Sequence, residues 1–303
     1  MFSYDHIKLI MELDYVKLKP IKPALSGYIR KSQGLLKRSV VPEERTVHDV
    51  RVLMKKSRAV LKLAAAQLDK TYFDRDITAL REVGRCLCTW REYSVQRKIL
   101  KDFRKKYPGI FSSLSGNQVI SMMLEKHEPF TEPPEELKTA LEHVDVLLNK
   151  TGYRIRFQSM NMIDPKLLIK ELAISYKSVA DIYLLCRNDP KPALLHKFRK
   201  KAKDFLYQLC FFRHLNPPVI KALEKKLDNM TQNLGKYNDI TQIIKAMDYN
   251  FRDNTNNPAM NELIIRFREA QDGYLSRIWP EAFQIFCPGQ SFVNVLGFKL
   301  LVI

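Results

Sequence analysis

Five residues with basic or titratable side chains recur at three- and four-residue intervals. They are His48, Arg51, Lys55, Arg58 and Lys62. On a helix that advances about 100° per residue, the last four fall within roughly 80° of His48 on one side. The segment 48–62 holds five lysines and arginines but one acid, Asp49. Phosphate suits such a stripe, because arginine can donate two parallel hydrogen bonds to it and lysine supplies a mobile charge.

This basic stripe borders the apolar face of the same predicted helix. The adjoining arc contains Val47, Val50, Met54 and Leu61, whereas an ordinary surface helix places its charges opposite the core. Like charges one turn apart repel each other, and a bound anion would relieve that repulsion. A histidine beside phosphate also has its charged form favoured. We therefore predict that the stripe lines a groove or channel wall that receives an anion.

The same residue types return 148 positions later, where a second stripe aligns with the first without gaps. The second stripe contains His196, Arg199 and Lys203. A further match pairs segment 87–93 with segment 234–240, at an offset of 147. Two matches at nearly constant offset are typical of an internal repeat. We therefore expect two similar helical halves that divide near residue 150.

The elements that must position these stripes are helices. Apolar residues recur at helical spacing between proline-containing breaks, and strand signals are weak, so the predicted class is all-α. Segment 151–164 is the least helical part, with a short extended stretch predicted at 153–157. Helices are predicted at 21–38, 43–69, 73–106, 117–126, 134–150, 165–187, 191–213, 217–248 and 258–286. Their length and short connections are typical of helical bundles.

The chain divides into four predicted regions. An N-terminal segment covers 1–24, the two helical halves cover 25–150 and 151–286, and an apolar C-terminal tail covers 287–303. The tail contains proline, glycine and lysine and is not a clean membrane span. We expect it to pack on the body or on another subunit. The oligomeric state is left open.

The composition limits the class of protein and partner. The 303 residues carry a formal charge of +18 and are 46% hydrophobic and 28% charged. This apolar content excludes wholesale disorder, and the positive excess indicates an anionic partner such as nucleic acid, a membrane surface or another polyanion. Five scattered cysteines form no disulfide framework, and the N-terminus does not resemble a signal peptide. These features favour the cytoplasm.

Three further residues are weaker candidates for the basic wall. Arg81 and Arg85 lie one helical turn apart, and Lys177 follows Tyr176 in a separate predicted helix. Plain exposure to solvent explains them almost as well. We find no Walker-type loop, no dinucleotide-binding fingerprint and no zinc-ligand spacing. The sequence therefore predicts neither a cofactor nor a metal.

Two other functions remain as alternatives. A nucleic-acid-binding protein would explain the charge, although no aromatic-interleaved basic surface and no helix-turn-helix signature is present. A metal-dependent phosphohydrolase is less favoured. It would use His48 and Asp49 as ligands, together with further residues such as His6 and Asp145.

The paired signatures resemble those of the CHAD family, the conserved-histidine α-helical domain. The first resembles H-x-x-R-V with later basic positions, here His48-Asp49-Val50-Arg51-Val52. The second resembles H-x-x-R-K, here His196-Lys197-Phe198-Arg199-Lys200, which adds Lys200 to the candidate ligands. An L-G-x-x-[RN]-D-like element follows each. In the first element Cys88 and Glu92 replace the family's glycine and aspartate.

The resemblance implies two pseudo-symmetric helical bundles around a basic central groove or pore. It also implies binding of inorganic polyphosphate and association with polyphosphate granules. We therefore predict a non-catalytic protein, not an enzyme, that binds polyphosphate through the two stripes. Several arginines of the family are lysines here, and Leu206 stands where the second copy often has a basic residue. The second half is therefore expected to contribute fewer ligands than the first.

Overall fold

The computed structural model describes residues 21–38, 42–87, 89–124, 135–158, 160, 163–250 and 257–296. Within these ranges every regular element is a helix, which confirms the predicted all-α class. The pseudo-symmetry of two bundles, the central groove or pore and the division near residue 150 stay predictions.

Twelve α-helices lie in the described ranges, and we number them in chain order. They are α1 (Ile21–Leu36), α2 (Glu44–Leu63), α3 (Lys70–Cys86), α4 (Thr89–Lys106), α5 (Pro108–Ser113), α6 (Gln118–Leu124), α7 (Glu135–Phe157), α8 (Pro165–Asn188), α9 (Pro192–Leu209), α10 (Pro217–Asn250), α11 (Pro258–Phe286) and α12 (Phe292–Leu296). Short 3₁₀ turns follow α2 at Ala65–Gln67 and α9 at Cys210–Phe212.

Local sequence explains several of the helix starts. Asp69, Asp164 and Asn257 each accept a hydrogen bond from a backbone N–H two or three residues later, at 3.1, 2.8 and 3.0 Å. These side chains satisfy amides that have no partner within the helix. Proline opens α8, α9 and α11, where its missing N–H is not needed. The breaks predicted from proline and polar clusters are therefore real boundaries.

The two helices that carry the basic stripes, α2 and α9, have similar neighbours. The preceding long helix packs on each, α1 on α2 and α8 on α9. The following long helix packs on the other flank, α3 on α2 and α10 on α9. The helices α2 and α9 also pack directly on each other. This order of contacts brings both stripes to the same part of the molecule.

Two apolar clusters hold the helices together. The larger one unites α1, α2, α3, α7, α8, α9, the start of α10 and the end of α11, with Leu25, Met54 and Phe198 fully buried. The smaller one joins α4, α5 and α6 to the end of α10 and the start of α11, around Leu100 and Phe267. The long helices α10 and α11 therefore run through both clusters and connect them.

The prediction of one helix over 73–106 is wrong, because the chain turns between α3 and α4. The buried residues of α3, such as Leu80 and Val83, belong to the larger cluster, whereas Leu100 of α4 belongs to the smaller one. The first helix, α3, ends at Cys86, and Leu87 forms a turn. Leu87 is fully buried at the turn. Residue 88 lies outside the described residues.

The prediction of an extended stretch at 153–157 is also wrong, because α7 continues to Phe157. Leu148, Thr151 and Ile155 are buried at helical spacing. The aromatic and β-branched residues favour a strand locally, but burial of this face favours the helix. Tyr153 and Phe157 remain exposed on the other face.

The described part of the C-terminal tail packs on the body, as predicted. Phe292 and Leu296 of α12 are buried in the larger cluster. The hydroxyl of Tyr176 donates to the carbonyl of Ile285 at 2.8 Å, beside the start of the tail. Among the described residues, no helix combines the length and the apolar character that crossing a membrane requires.

Candidate functional site

The first basic stripe lies along the edge of the larger core. Val47, Val50 and Met54 of α2 are buried, and the adjoining His48 and Arg51 are half-buried. Lys55 and Arg58 are also half-buried, and Lys62 at the end of the helix is exposed. This placement agrees with the arc predicted from helical periodicity. The first stripe therefore borders the core along α2.

The second stripe has the same relation to the core on α9. Phe198 and Ala202 are fully buried. Arg199 and Lys203 beside them are half-buried, whereas His196 and Lys200 are exposed. Leu206, one turn beyond Lys203, is buried. That the second stripe contributes fewer ligands than the first stays a prediction.

The two stripes are brought together by direct contacts between α2 and α9. The buried side chain of Gln208 donates to the carbonyl of Ala59 at 3.1 Å. Nζ of Lys62 lies 2.5 Å from a carboxylate oxygen of Asp204. Nζ of Lys56 lies 5.9 Å from the ring centre of Tyr207, in cation–π range. The two signature helices therefore contact each other near their C-terminal ends.

Three arginines form a concentrated positive group around α2 and α3. Burial lowers the pKa of Arg58, the carboxylate of Asp204 raises it, and the charges of Arg81 and Arg51 lower it further. The structure thus places Arg81, predicted as a weaker candidate, within electrostatic reach of the first stripe. We call Arg51, Arg58 and Arg81 the arginine cluster. Burial and the charges of Arg81 and Arg51 thus act against the charge of Arg58, and Asp204 favours it.

The arginine shared by the two signatures packs against a glycine in each case. Nη1 of Arg51 donates to the backbone carbonyl of Gly84 in α3. The guanidinium of Arg199 lies against Gly235 in α10, where an added Cβ would lie 3.2 Å from Nε. In both arginines Nε is buried without a hydrogen-bond partner among the described residues. Both guanidinium groups are thus held between helices and are not free to swing in solvent.

The element that follows the second signature fixes the histidine as well as the arginine. Nδ1 of His196 lies 2.8 Å from Oδ1 of Asn238. This contact joins the imidazole to α10. The segment from Gly235 to Asn238 therefore orients both residues of the second signature.

Acidic side chains from other segments neutralise part of each stripe. Lys203 pairs with Asp228 of α10 at 2.8 Å, and Lys62 pairs with Asp204. Burial, followed by the charge of Asp228, raises the pKa of Tyr207 to about 12. Asp204, Asp228 and Tyr207 were not predicted from the sequence, because only acids within the stripe itself were considered. No local pattern links Lys203 to an aspartate 25 positions away.

Two of the weaker candidates, Arg85 and Lys177, have exposed side chains. Arg85 lies on α3, where Nη2 bonds to Glu82 at 3.0 Å and 77% of the side chain is exposed. Lys177 lies exposed on α8. An open cavity of about 620 Å³ lies between α4 and α5, lined in part by Lys101, Arg104 and Phe111. It contains none of the predicted ligands, so it is not the predicted groove.

The ligands predicted for a phosphohydrolase do not form a metal group in the part of the chain that the structure describes. His48 and Asp49 belong to no group of three or more histidine, cysteine, aspartate or glutamate ligands among these residues. His6 lies outside the described residues.

Comparison with known proteins places these observations in a family. No curated protein matches the chain. The sequence model of the CHAD domain family matches residues 24–246, a range that contains every candidate ligand of the two stripes. Since this range covers more than half of the 303 residues, the chain belongs to the CHAD domain family.

Proposed function

We propose that this protein binds inorganic polyphosphate without chemical conversion, through one surface formed by α2, α3 and α9. Polyphosphate binding is a general property of the CHAD family. The proposed ligands are the arginine cluster with His48, Lys55 and Lys62 on one side. His196, Arg199, Lys200 and Lys203 lie on the other, and Arg85 and Lys177 are peripheral.

The observation that carries the proposal is the arginine cluster. Burial and the neighbouring Arg81 and Arg51 lower the pKa of Arg58, although Asp204 opposes the shift. A bound polyanion would reverse this effect by adding negative charge among three guanidinium groups. A hydrogen bond to a charged group stabilises a complex by about 1.5–3 kcal/mol. A polyphosphate molecule, which carries phosphate oxygens along its whole length, can contact the three arginines together.

The second stripe supplies donors that are already ordered. Asn238 orients His196 and Gly235 supports Arg199, so little side-chain entropy is lost when these residues bind phosphate. Lys62 and Lys203 differ, because each holds an aspartate. They would exchange that carboxylate for phosphate. In this mechanism the first stripe supplies most of the electrostatic attraction, and the second stripe fixes the position of the polyphosphate along the surface.

A binding titration of the purified chain with polyphosphate of defined lengths tests the proposal. The test variant is Arg58→Gln with Arg81→Gln, which removes two charges of the cluster and leaves the contact of Arg51 with Gly84 in place. The matched control is Lys225→Gln with Lys226→Gln, which removes two exposed charges of α10. We expect the test variant to bind at least about tenfold more weakly, or about 1.4 kcal/mol, and the control to change little.

Equal losses in the two double variants would show that affinity follows net charge and not this surface. The logarithm of the affinity should also fall linearly with the logarithm of the salt concentration, because phosphate displaces counterions. In competition, polyphosphate should displace labelled RNA more readily than RNA displaces polyphosphate. If RNA prevails at physiological salt, a nucleic acid is the ligand.

The absence of catalysis is part of the proposal and has its own test. We expect no phosphate release from polyphosphate, with or without divalent metal. Metal-dependent release that Asp49→Ala abolishes would instead establish a phosphohydrolase. A cytoplasmic location at polyphosphate granules also follows from the proposal. A fluorescently tagged chain should lose granule association when Arg58 and Arg81 are changed to glutamine.

A further inference from the structure

Three side chains of metal-ligating type meet between α3 and α7, apart from the ligands proposed above. Glu82 and Cys86 lie one turn apart on α3, and His143 faces them from α7. One ligand atom from each lies within 4.8 Å of the other two. Sγ of Cys86 is already 3.6 Å from a carboxylate oxygen of Glu82. No motif of the sequence predicts this group, because its members come from two helices far apart in the chain.

The donor atoms suit one class of metal ion. Thiolate sulfur, imidazole nitrogen and carboxylate oxygen bind zinc at about 2.0–2.3 Å, so donors that share one ion lie about 3.5 Å apart. The observed spacing therefore needs an approach of about 1 Å, which side-chain rotation provides. Thiolate and imidazole favour zinc and similar transition metals, whereas magnesium and calcium prefer oxygen ligands.

Two features keep the group accessible to a metal. Cys86 and Glu82 are half-buried and His143 is exposed, so the site opens to solvent. Arg85 also bonds to Glu82, but 77% of its side chain is exposed, and an exposed ion pair of this kind is weak. A divalent ion can therefore displace the guanidinium. Burial, with Glu82, raises the pKa of the Cys86 thiol, so metal binding should release a proton.

We propose that Glu82, Cys86 and His143 form a binding site for a divalent transition-metal ion of the zinc type. Three protein ligands leave a fourth tetrahedral position for water or an external ligand. A metal at this position would link α3 to α7, next to the turn of α3 whose Gly84 carbonyl holds Arg51.

Cobalt(II) titration of the metal-free full-length chain tests this site, since cobalt replaces zinc and has visible spectra. The titration omits polyphosphate, which chelates metals, so its result is independent of the proposed function. We expect tetrahedral cobalt bands, a thiolate-to-cobalt charge-transfer band at one equivalent, and loss of both when zinc is added. Magnesium should not displace the cobalt.

The variants Cys86→Ser and His143→Gln separate the site from adventitious binding. We expect Cys86→Ser to lose the charge-transfer band, and His143→Gln to weaken cobalt binding at least about tenfold, as for loss of a ligand. Cys210→Ser and His214→Gln are matched controls at a half-buried cysteine and an exposed histidine, and both should retain the band. Absence of the band in the unmodified chain, or its persistence in Cys86→Ser, would overturn the proposal.

Discussion

The surroundings of α2 and α9 differ, although the two helices carry the same signature residues. Around α2 the positive charges are concentrated, since Arg58 lies within electrostatic reach of Arg81 and Arg51 as well as of Asp204. Around α9 the signature residues are fixed by α10. Asn238 holds His196, Gly235 supports Arg199 and Asp228 pairs with Lys203. One residue pattern thus serves as a site of high charge in one place and as a set of ordered donors in the other.

The difference arises in the helix that follows each signature. After α2 the chain forms α3, turns at Leu87 and continues as α4. After α9 it forms the uninterrupted helix α10 from Pro217 to Asn250, which carries all three contacts to the second signature. A continuous helix keeps Asp228, Gly235 and Asn238 within about 80° of one another on the side that contacts α9.

The largest effect we predict concerns a buried ion pair of α3, in the first of these regions. Asp76 of α3 is 1% exposed and lies 2.7 Å from Nε of Arg154 in α7. Asp76→Ala should lower the free energy of unfolding by about 3 kcal/mol, because it leaves the guanidinium without its buried partner. The pair of Arg213 and Glu224 beside α9 has a more exposed arginine, so Glu224→Ala should cost about 1 kcal/mol or less.

Urea denaturation followed by circular dichroism measures both variants. A shift of the midpoint at constant slope reports the change in stability. Equal shifts would mean that the α3–α7 contact is no more important than the surface pair, and the contrast between the two regions would then be limited to charge.

The boundaries of the helices could be predicted from the sequence where a nearby residue sets them. Prolines at 165, 192, 217 and 258 open helices, and helical periodicity placed the stripes beside the core. The failures at Leu87 and at 153–157 share one cause. Each depends on which apolar cluster the segment joins, and a burial pattern that forms only on folding overrides local preference.

The residues of the site could be predicted from the sequence where their pattern lies within one helix. The paired signatures identify the arginines of α2 and α9 as neighbours of the core. The acids that balance them were not predictable, because Asp204 reaches Lys62 across two helices and Asp228 reaches Lys203 from a third. The role of Asn238 was equally hidden, although its element was recognised. Pairings between helices depend on their packing angle and register, which one sequence does not reveal.

A smaller effect is predicted for the two aspartates that pair with lysines of the stripes, Asp204 with Lys62 and Asp228 with Lys203. Asp204 faces both Lys62 and Arg58, whereas the cation paired with Asp228 is Lys203. In the proposed mechanism each aspartate competes with phosphate for these cations. Asp204→Asn should therefore strengthen polyphosphate binding several-fold at low salt, because loss of one carboxylate at a partly exposed site changes the binding free energy by about 1 kcal/mol. Asp228→Asn should strengthen binding less, because Asp228 pairs with one lysine whereas Asp204 faces two cations.

Calorimetric titration of both variants with polyphosphate tests this order, with Asp248→Asn as the control at an exposed aspartate near the other end of α10. The gain should shrink as salt is added, because ions screen exposed charges. Weaker binding in Asp204→Asn would show that the aspartate orients the cations and does not compete for them.

The smallest predicted effect separates the two glycines that contact the signature arginines. Gly84 and Gly235 both lie in helices, where alanine is favoured by up to about 1 kcal/mol. A Cβ at Gly84 meets no other atom within 4 Å, but at Gly235 it lies 3.2 Å from Nε of Arg199. Gly84→Ala should therefore raise the melting temperature and leave polyphosphate affinity unchanged, since the carbonyl that binds Arg51 remains. Gly235→Ala should displace Arg199 and weaken binding by about twofold to threefold, well under the 1.4 kcal/mol of a tenfold change. Melting curves and titrations of the two variants together decide the point. If both bind normally, the support of Arg199 by α10 is a packing contact alone, and the second stripe is no more ordered for binding than the first.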